Sequence, residues 1–411
     1  MMTKNDFNDA LLGFLDASPT PFHAVENMAG MLFNAGFIEL DEREEFDLIV
    51  GQSYFVKRAD SSIIAFNYYD GFEYLLVGAH TDSPNLKIKP NADVNKDGIN
   101  QLAVEPYGGV LLNPWFDRDL SIAGRVNYKN VNGNLEKTLI NMQKAVAVIP
   151  SLAIHLDRDA NKSRSINEQT DIVPIVSTCK DFSLKEELLK ITDDAVEILS
   201  YDLSLYDTQK ASYIGFNDEF IASARLDNLL SCYIALITIC STDKPMMIVC
   251  SDHEEVGSVS VGGAGGNFLS SIVDRIFETS SDKARFARSS LLVSADNAHA
   301  QHPNFASKHE PNHAPKLNEG VVIKVNSNQR YASNSDTMAR FIDAAQSVGA
   351  QTQMYVTRSD MGCGSTIGPM TSAAMGIDTV DIGIPTFAMH SIRESAGSDD
   401  AYELYKILLA L

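Results

Sequence analysis

The stretch Leu75-Leu-Val-Gly-Ala-His80-Thr-Asp82 is an apolar run that ends directly in polar residues. An apolar run of this length predicts a strand that is buried on both faces of a sheet. Helical patterns precede it at 5–16 and 21–36, and further strands and helices alternate from about residue 221 onward. Alternation of this kind predicts an α/β fold with a mainly parallel sheet flanked by helices.

The carboxyl-terminal half repeats the pattern of strand and helix. The elements predicted there are a helix at 226–240, a strand at 246–250, a helix at 267–279, strands at 291–294 and 320–325, a helix at 334–348, strands at 351–356 and 379–383, and a helix at 398–410. The alternation of strands and helices resumes here after the middle of the chain, and the helix at 226–240 is a long apolar one.

The middle of the chain has a different texture. Short apolar stretches are separated there by Gly, Asn, Asp and Pro, and Val131-Asn-Gly-Asn134 is a hairpin signal between two of them. The sequence therefore predicts a β-rich domain at 88–220, inserted into a catalytic domain made of 1–87 and 221–411.

Charge and composition exclude several classes of function. The chain has 54 Asp and Glu against 33 Lys and Arg, a net charge of −21. Such a chain repels nucleic acid and anionic membranes, so we expect neither as a partner, although the charge also serves solubility. The longest nearly apolar run, 229–240, is too short to cross a bilayer. The five cysteines form no CxxC pair, which is typical of reduced thiols in a cytoplasmic protein.

Two predicted strands end in adjacent or alternating polar residues. His80 and Asp82 are two apart, so in extended chain they face the same side, and Asp82 can orient the imidazole of His80. Glu254 and Glu255 follow the strand at 246–250, and adjacent carboxylates in extended chain point to different sides. One can bind a metal while the other transfers protons. Taken alone, both pairs are also compatible with ordinary polar turns.

Three further positions complete the set. Asp296, followed by His299 and His302, comes after the strand at 291–294, and His390 comes after the strand at 379–383. Asp227 opens the long apolar helix at 226–240. Individually, Asp296 and Asp227 could be helix caps and His390 a core histidine.

Their combination predicts one site, because ligands in open α/β sheets bind beyond the carboxyl ends of the strands. Two histidines, three carboxylates and a spare carboxylate can hold two metal ions that share one ligand. Paired metals activate water for amide hydrolysis. Competing motifs are absent: His253-Glu-Glu255 is followed by Val256 and so is not HExxH, and there is no GxSxG elbow or P-loop. The glycine-rich stretch 257–266 matches no nucleotide fingerprint.

Seven blocks follow one another along the chain. They are Gly78-Ala-His-Thr-Asp-Ser-Pro84, Ser223-Ala-Arg-Leu-Asp-Asn228, Asp252-His-Glu-Glu-Val-Gly-Ser258, Asp296-Asn-Ala-His-Ala-Gln-His-Pro-Asn304, Val322-Ile-Lys-Val-Asn-Ser-Asn-Gln-Arg-Tyr-Ala332, Ser359-Asp-Met-Gly-Cys-Gly-Ser-Thr-Ile-Gly-Pro369 and Ala388-Met-His-Ser-Ile-Arg-Glu394. In this order they resemble the M18 metallo-aminopeptidases, the aspartyl aminopeptidase group. The resemblance covers essentially the whole chain. It implies the fold of a two-metal exopeptidase with an inserted domain for oligomerisation.

The resemblance implies roles for the site residues. His80, Asp227 and Asp296 would bind one metal ion, and the bridging Asp227 would bind the other together with Glu255 and His390. Glu254 would be the general base toward the attacking water, and Asp82 would orient His80. These roles imply two divalent ions per subunit, zinc first, with cobalt or manganese as alternatives.

The resemblance also implies substrates and partners. His299, Lys324, Met361 and Gly362 would lie near the substrate, a peptide with a free amino terminus. Lys324 would pair with an acidic first side chain, whereas the plain alternative is a strand lysine that reaches water. His155 would reach the active site of a neighbouring subunit in a tetrahedral homododecamer.

Other functions remain open from the sequence. They are an aminopeptidase of neutral or broad specificity, another two-metal amide hydrolase such as a carboxypeptidase or deacylase, and a non-catalytic assembly scaffold. A scaffold would need neither the ligand set nor the spare carboxylate.

Overall fold

The computed structural model describes residues 2–411 and divides them into two compact units. The first unit contains the chain up to residue 82, residues 211–389 and residues 394–411. The second contains residues 83–210 and 390–393. The first is an α/β unit and the second is β-rich, so each has the texture that the sequence predicts for its part of the chain.

The α-helices in chain order are α1 (Lys4–Ala17), α2 (Pro21–Asn34), α3 (Leu184–Leu189), α4 (Leu226–Cys240), α5 (Phe268–Ile276), α6 (Ser280–Ser289), α7 (Ser335–Ser347), α8 (Ile367–Met375) and α9 (Asp400–Ala410).

The strands in chain order are β1 (Ile38–Glu39), β2 (Ser53–Arg58), β3 (Ser62–Asn67), β4 (Leu75–His80), β5 (Asn85–Lys96), β6 (Ile99–Tyr107), β7 (Leu120–Asn130), β8 (Leu135–Asn141), β9 (Ile175–Ser177), β10 (Ala195–Asp207), β11 (Ser212–Ile214), β12 (Phe220–Ser223), β13 (Met246–Ser251), β14 (Leu291–Ala295), β15 (Ala298–His299), β16 (Val321–Val325), β17 (Thr352–Val356), β18 (Asp378–Gly383), β19 (Pro385–Phe387) and β20 (Glu394–Gly397).

The first unit is built on a nine-stranded sheet in the order β1-β2-β3-β13-β4-β14-β18-β16-β17. Its centre is parallel, because β4 pairs in parallel with both β13 and β14, and β14 pairs in parallel with β18. Antiparallel pairs join β2 to β3, β3 to β13 and β16 to β18. This mainly parallel sheet is the fold class that the sequence predicts.

Helices cover both faces of the sheet, as a parallel sheet requires. On one face the core takes in α1, α2, α4, α7 and α9. Every residue of α4 from 226 to 239 is buried, which is typical of a helix that is apolar all round. On the other face, α5 and Phe286 of α6 pack over the sheet in a second core.

A smaller five-stranded sheet in the same unit has the order β11-β12-β20-β19-β15. In it β12 is antiparallel to β20, with Ser223 opposite Glu394. This pairing places β20 beside the segment that leads into α4.

The second unit contains a six-stranded sheet in the order β8-β7-β10-β5-β6-β9 with its own hydrophobic core. The hairpin between β7 and β8 turns at Asn130–Asn134, with Gly133 at φ 78°, as the Asn-Gly signal predicts. Ile392 is 3% exposed and belongs to this core, which explains why residues 390–393 group with the second unit.

The structure differs from the predicted boundaries in several places. The units divide at 82/83 and 210/211, earlier than the predicted 87/88 and 220/221, because β5 begins at Asn85 and the β11–β12 hairpin pairs with β20. The predicted helix 267–279 is wrong at its end, since α5 stops at Ile276 and Thr279 caps the new helix α6. Within the described part of the chain, no helix has both the length and the apolar character of a membrane span.

Candidate metal centre

The polar residues of the first unit converge because their strands are neighbours. Strand β4 lies between β13 and β14, and the three run parallel. Their carboxyl ends therefore reach the same edge of the sheet, with Ser251 of β13 level with His80 of β4. The next residues of the chain after β13 and β14 are Asp252 and Asp296, so acidic groups follow at this edge.

His80 lies at the centre of the carboxylates. Its side chain is buried, and its Nε2 is 3.4 Å from Asp227 Oδ1, 3.5 Å from Asp296 Oδ1 and 4.0 Å from Glu254 Oε2. Burial alone lowers the pKa of His80, but hydrogen bonds with Asp227, Asp296 and Asp82 raise this pKa well above its ordinary value. The cluster thus favours a positive charge at its centre, which is what a divalent cation supplies.

Asp82 contacts both the His80 ring and the backbone of the two glutamates. Its Oδ1 is 3.3 Å from His80 Nδ1, and the Nδ1 of His80 is also 3.0 Å from the backbone carbonyl of Asp82. In addition, the backbone N–H groups of Glu254 and Glu255 donate to Oδ1 and Oδ2 of Asp82, each at 3.1 Å. One carboxylate therefore orients the imidazole and fixes the backbone of both glutamates.

Glu254 and Glu255 open a single turn of 3-10 helix, Glu254–Val256. The turn is entered by His253 at φ 63° and left by Gly257 at φ 98°, so the chain bends sharply on both sides. Burial raises the pKa of Glu254 to about 7, against the opposing effect of His80, and burial together with Asp227 raises that of Glu255 to about 10. A carboxyl with a pKa near 7 is suited to exchange protons at neutral pH.

Asp227 is held at the amino-terminal end of α4. Its backbone is not helical, with φ −85° and ψ 105°, and its side chain is buried. The backbone N–H of Asp227 donates to Glu394 Oε2 at 3.0 Å. The predicted capping alternative is not observed, since the helix-capping position is Arg225 and it makes no side-chain cap.

Two groups within the first unit fit a metal ion by their donor atoms. In each group, His80 with Asp227 and Asp296, and His80 with Glu254 and Glu255, one ligand atom per residue lies within 4.8 Å of the others. Imidazole nitrogen and carboxylate oxygen are the donors that zinc accepts in proteins. The residues present therefore fit a zinc ion.

His390 belongs to the second unit. Its Nδ1 lies 3.0 Å from the backbone carbonyl of Gly109, and its own carbonyl accepts the N–H of Leu111. Because a carbonyl oxygen can only accept, Nδ1 carries the ring proton, and Nε2 is the nitrogen whose lone pair can bind a metal, the usual arrangement of a metal-binding histidine.

Lys324 is on β16, and its side chain lies beside that of Asp296, which follows β14. It is 3% exposed, so the alternative in which this lysine reaches water is wrong. Its Nζ is 3.4 Å from Asp296 Oδ2 and 5.4 Å from the centre of the Tyr331 ring. Although burial acts in the opposite direction, Lys324 and His80 hold the pKa of Asp296 below its usual range.

Aromatic rings continue from Lys324. Tyr331 and Tyr355 are both buried, and their ring centres are 6.5 Å apart. The exposed ring of His299 lies 5.9 Å from that of Tyr355. His299 and Lys324 therefore border the same aromatic cluster.

The remaining predicted residues lie in exposed segments. Met361 and Gly362 are in an exposed turn of the first unit, where the N–H of Met361 donates to the carbonyl of Arg358. His155 lies in an exposed loop of the second unit. The Nδ1 of His302 accepts the N–H of Asn304 and so begins a short 3-10 helix, which is a structural role.

Two residues of this region had no assigned role in the sequence. Tyr331 lies inside the block 322–332, and Glu394 ends the block 388–394, but neither is next to a predicted ligand in the sequence. The sequence around Glu394, Ser391-Ile-Arg-Glu-Ser-Ala396, is mixed in polarity and holds no signal that could have identified it.

Known proteins are similar to this chain over nearly its whole length. The family model for M18 peptidases, described as aminopeptidase I zinc metalloproteases, matches residues 14–411. A probable M18 family aminopeptidase 2 of Pseudomonas aeruginosa is 52% identical, over 98% of this chain and 97% of that protein.

Solved structures of M18 proteins have the same fold as this chain. The mApe1 protein of Chaetomium thermophilum is 32% identical, with a TM-score of 0.88 over 99% of this chain and 98% of that one. The S. cerevisiae mApe1 dodecamer is 27% identical, with a TM-score of 0.86 over 98% of this chain and 96% of that one.

Proposed function

Because the chain belongs to the M18 family of zinc metallo-aminopeptidases, we propose that it uses two metal ions to remove amino-terminal Asp or Glu from peptides. The observation that carries this proposal is the grouping of His80, Asp227 and Asp296 beside Glu254, whose pKa is about 7. A metal site and a proton-transfer group at one sheet edge are what amide hydrolysis requires.

The ligands divide between two ions. His80, Asp227 and Asp296 would hold the first zinc ion. The resemblance to the family implies that Asp227, Glu255 and His390 would hold the second, with cobalt or manganese as alternative metals. When bound, the ions polarise the scissile carbonyl and increase the acidity of water.

The residues of the chain carry out the proton transfers. Glu254 accepts a proton from the attacking water and passes it to the leaving amine, for which a pKa near neutrality is suitable. Asp82 accepts the backbone N–H of Glu254 and so keeps Glu254 in place. The same carboxylate keeps the His80 ring in one orientation. The free α-amine of a peptide would bind a metal ion held at this centre through its nitrogen lone pair, a contact that a blocked amino terminus cannot make.

The preference for an acidic residue rests on Lys324. Its buried ammonium, with the Tyr331 ring beside it, can form a charge-assisted contact with a substrate carboxylate. His299 borders the same cluster, and we place Met361 and Gly362 in the substrate-binding surface as well. Because Lys324 already contacts Asp296, neutral or broad specificity is the second candidate.

Assembly is the next part of the proposal. Leu152, Ile154 and Leu156 around His155 are 59%, 48% and 75% exposed, an apolar loop that a second subunit could cover. We propose a tetrahedral homododecamer in the cytoplasm in which His155 reaches a neighbouring active site; a relative forms a dodecamer. Sedimentation at low protein concentration tests the assembly, and an active monomer would contradict it.

The test of the activity is hydrolysis of aminoacyl amides. Protein stripped with a chelator is assayed with the amides of Asp, Glu, Leu, Lys and N-acetyl-Asp, before and after zinc, cobalt or manganese is added. We expect cleavage to return with metal, to be fastest for Asp or Glu, and to be absent for N-acetyl-Asp. Glu254→Gln is the control, which should bind metal without turnover.

The other outcomes identify the alternatives. Cleavage led by Leu would retain the mechanism and favour neutral specificity. Cleavage of N-acetyl-Asp would favour a deacylase, and folded protein without activity on any amide would favour an assembly scaffold.

A further inference from the structure

Glu394 is a buried carboxylate to which neither the mechanism nor the ligand set assigns a role. It is 1% exposed and is the first residue of β20. Its Oε2 accepts the backbone N–H of Asp227 at 3.0 Å. We propose that Glu394 is a positioning residue that fixes Asp227 for metal binding, an inference that rests on the proposed role of Asp227 as a ligand.

The backbone at Asp227 lacks the support that a helix gives to its interior. The first N–H groups of a helix have no partner within it. Asp227 and Asn228 depart from helical geometry, with φ, ψ of −85°, 105° and −126°, 25°, and Arg225 before them has φ 61°. The acceptor for the Asp227 N–H comes from outside the helix, and it fixes the backbone from which the Asp227 side chain extends.

The sheet supplies that acceptor at a defined place. Glu394 is opposite Ser223 in the antiparallel pair of β12 and β20, and Ser223 is four residues before Asp227. The strand pairing holds the Glu394 backbone, and burial restricts its side chain. An N–H donated to an ionised carboxylate is stronger than one donated to a neutral oxygen.

The arrangement parallels that of Asp82. Asp82 accepts the backbone N–H groups of Glu254 and Glu255, and Glu394 accepts that of Asp227. Each of these two carboxylates thus contacts the backbone of the residues that face the site. Partners that orient metal ligands commonly change metal affinity by about 10- to 100-fold when they are removed.

The experiment measures zinc affinity by competition with a chromophoric chelator, together with the melting temperature, on the full chain. Glu394→Met keeps the length of the side chain and removes the acceptor, whereas Glu394→Gln keeps an amide oxygen that can accept the Asp227 N–H. Asp400→Ala is the matched control, because Asp400 is also a buried carboxylate and accepts the backbone N–H groups of Asn318 and Gly320.

We expect Glu394→Met to bind zinc about 10- to 100-fold more weakly. Glu394→Gln should restore affinity to within about fivefold of the parent, and Asp400→Ala should retain it even if the variant melts earlier. Excess zinc should recover kcat of Glu394→Met with little change in KM.

Three results would overturn the proposal. They are parental zinc affinity in Glu394→Met, an equal loss of affinity in Asp400→Ala, and failure of both Glu394 variants to fold, because a positioning residue should spare the fold. Asp227→Ala distinguishes this from failure of the proposed function: if that variant keeps parental zinc affinity, the ligand role of Asp227 itself is wrong.

Discussion

Lys324 contacts a proposed metal ligand and is also the proposed partner of the substrate. Its ammonium is 3.4 Å from Asp296 Oδ2, while Oδ1 of the same carboxylate is 3.5 Å from His80 Nε2. The two oxygens of Asp296 therefore face different partners, the ammonium of Lys324 and the imidazole of His80. Removal of Lys324 leaves a buried carboxylate with one partner fewer, which is costly in protein interiors.

We expect Lys324→Met to lower kcat/KM for both acidic and neutral substrates. The loss should be about 10-fold for the Leu amide, because Asp296 loses a partner, and at least about 100-fold for the Asp amide, because the charge-assisted contact is also lost. Lys316→Met, which changes an exposed lysine, is the control. Equal losses of kcat/KM on the two substrates at saturating zinc would contradict the proposed pocket for an acidic side chain.

The sequence could predict that His80, Glu254 and Asp296 meet, since each is at the end of a strand or shortly after it and parallel strands end at one edge. It could not predict the second contact of Asp82 or the contact of Glu394, because both depend on backbone N–H groups. Such contacts follow from the exact path of the chain after the strand, which residue types do not reveal.

At the level of elements, β18 passes very close to the chain that leaves β14. A Cβ added to Gly383 would lie 2.0 Å from the carbonyl oxygen of Asp296 and 2.9 Å from the N of Ala298. These atoms are held by the sheet, since the N–H of Asp296 donates to Ile382 and that of Ala298 to Ile384. Only glycine allows this approach.

Gly383→Ala should therefore displace Asp296. We expect a destabilisation of about 1–3 kcal/mol from overpacking, together with weaker zinc binding. Gly30→Ala is the control, because a Cβ there meets nothing within 4 Å and α2 should gain about 0.5–1 kcal/mol. Thermal unfolding with and without zinc measures both effects, and unchanged zinc affinity in Gly383→Ala would contradict the expectation.

The start of α9 is expected to make stability depend on pH. Burial raises the pKa of Asp400 from 3.8 to about 7, although the N–H groups of Asn318 and Gly320 oppose the shift. Folding therefore takes up a proton between about pH 4 and pH 7, so the contribution of Asp400 to stability is present at low pH and is lost as pH rises through 7.

Asp400→Asn should remove this dependence. We compare the free energies of unfolding of the parent and the variant. Their difference, parent minus variant, should fall by a few kcal/mol between pH 5 and pH 8, on the order expected for a pKa shift of this size. Denaturant unfolding at several pH values measures the difference, and other titrating groups cancel in it. A constant difference would show that Asp400 has an ordinary pKa.

Most long helices and buried strands were predictable from apolar periodicity, including α4 and β13. The elements that were missed are those whose pattern is weak. β2 and β3 have no period-two alternation in their burial, since β3 is buried at every residue, and α8 has Gly and Pro near its start. Their structure is decided by packing against the sheet.

For the whole molecule, the cluster of carboxylates predicts that metal removal is destabilising. Acidic groups brought together without a cation repel one another, and a ligand that binds only the folded state adds stability. Zinc at about 100 times its dissociation constant should add about 2.7 kcal/mol.

We therefore expect chelator to lower the melting temperature by several degrees and added zinc to restore it. In Asp296→Ala, zinc should raise the melting temperature much less, since this change removes one of the proposed metal ligands. A melting temperature that is independent of chelator, in protein shown to contain zinc beforehand, would contradict the prediction.

The division of the first unit among separate stretches of chain has a consequence for synthesis. On the ribosome, β4 emerges well before its neighbours β13 and β14, and the residues of the second unit up to 210 lie between them. The proposed ligands extend from His80 to His390. A nascent chain therefore cannot assemble the proposed centre until residue 390 has left the ribosome, which would keep a peptide-cleaving enzyme inactive up to that point of its synthesis.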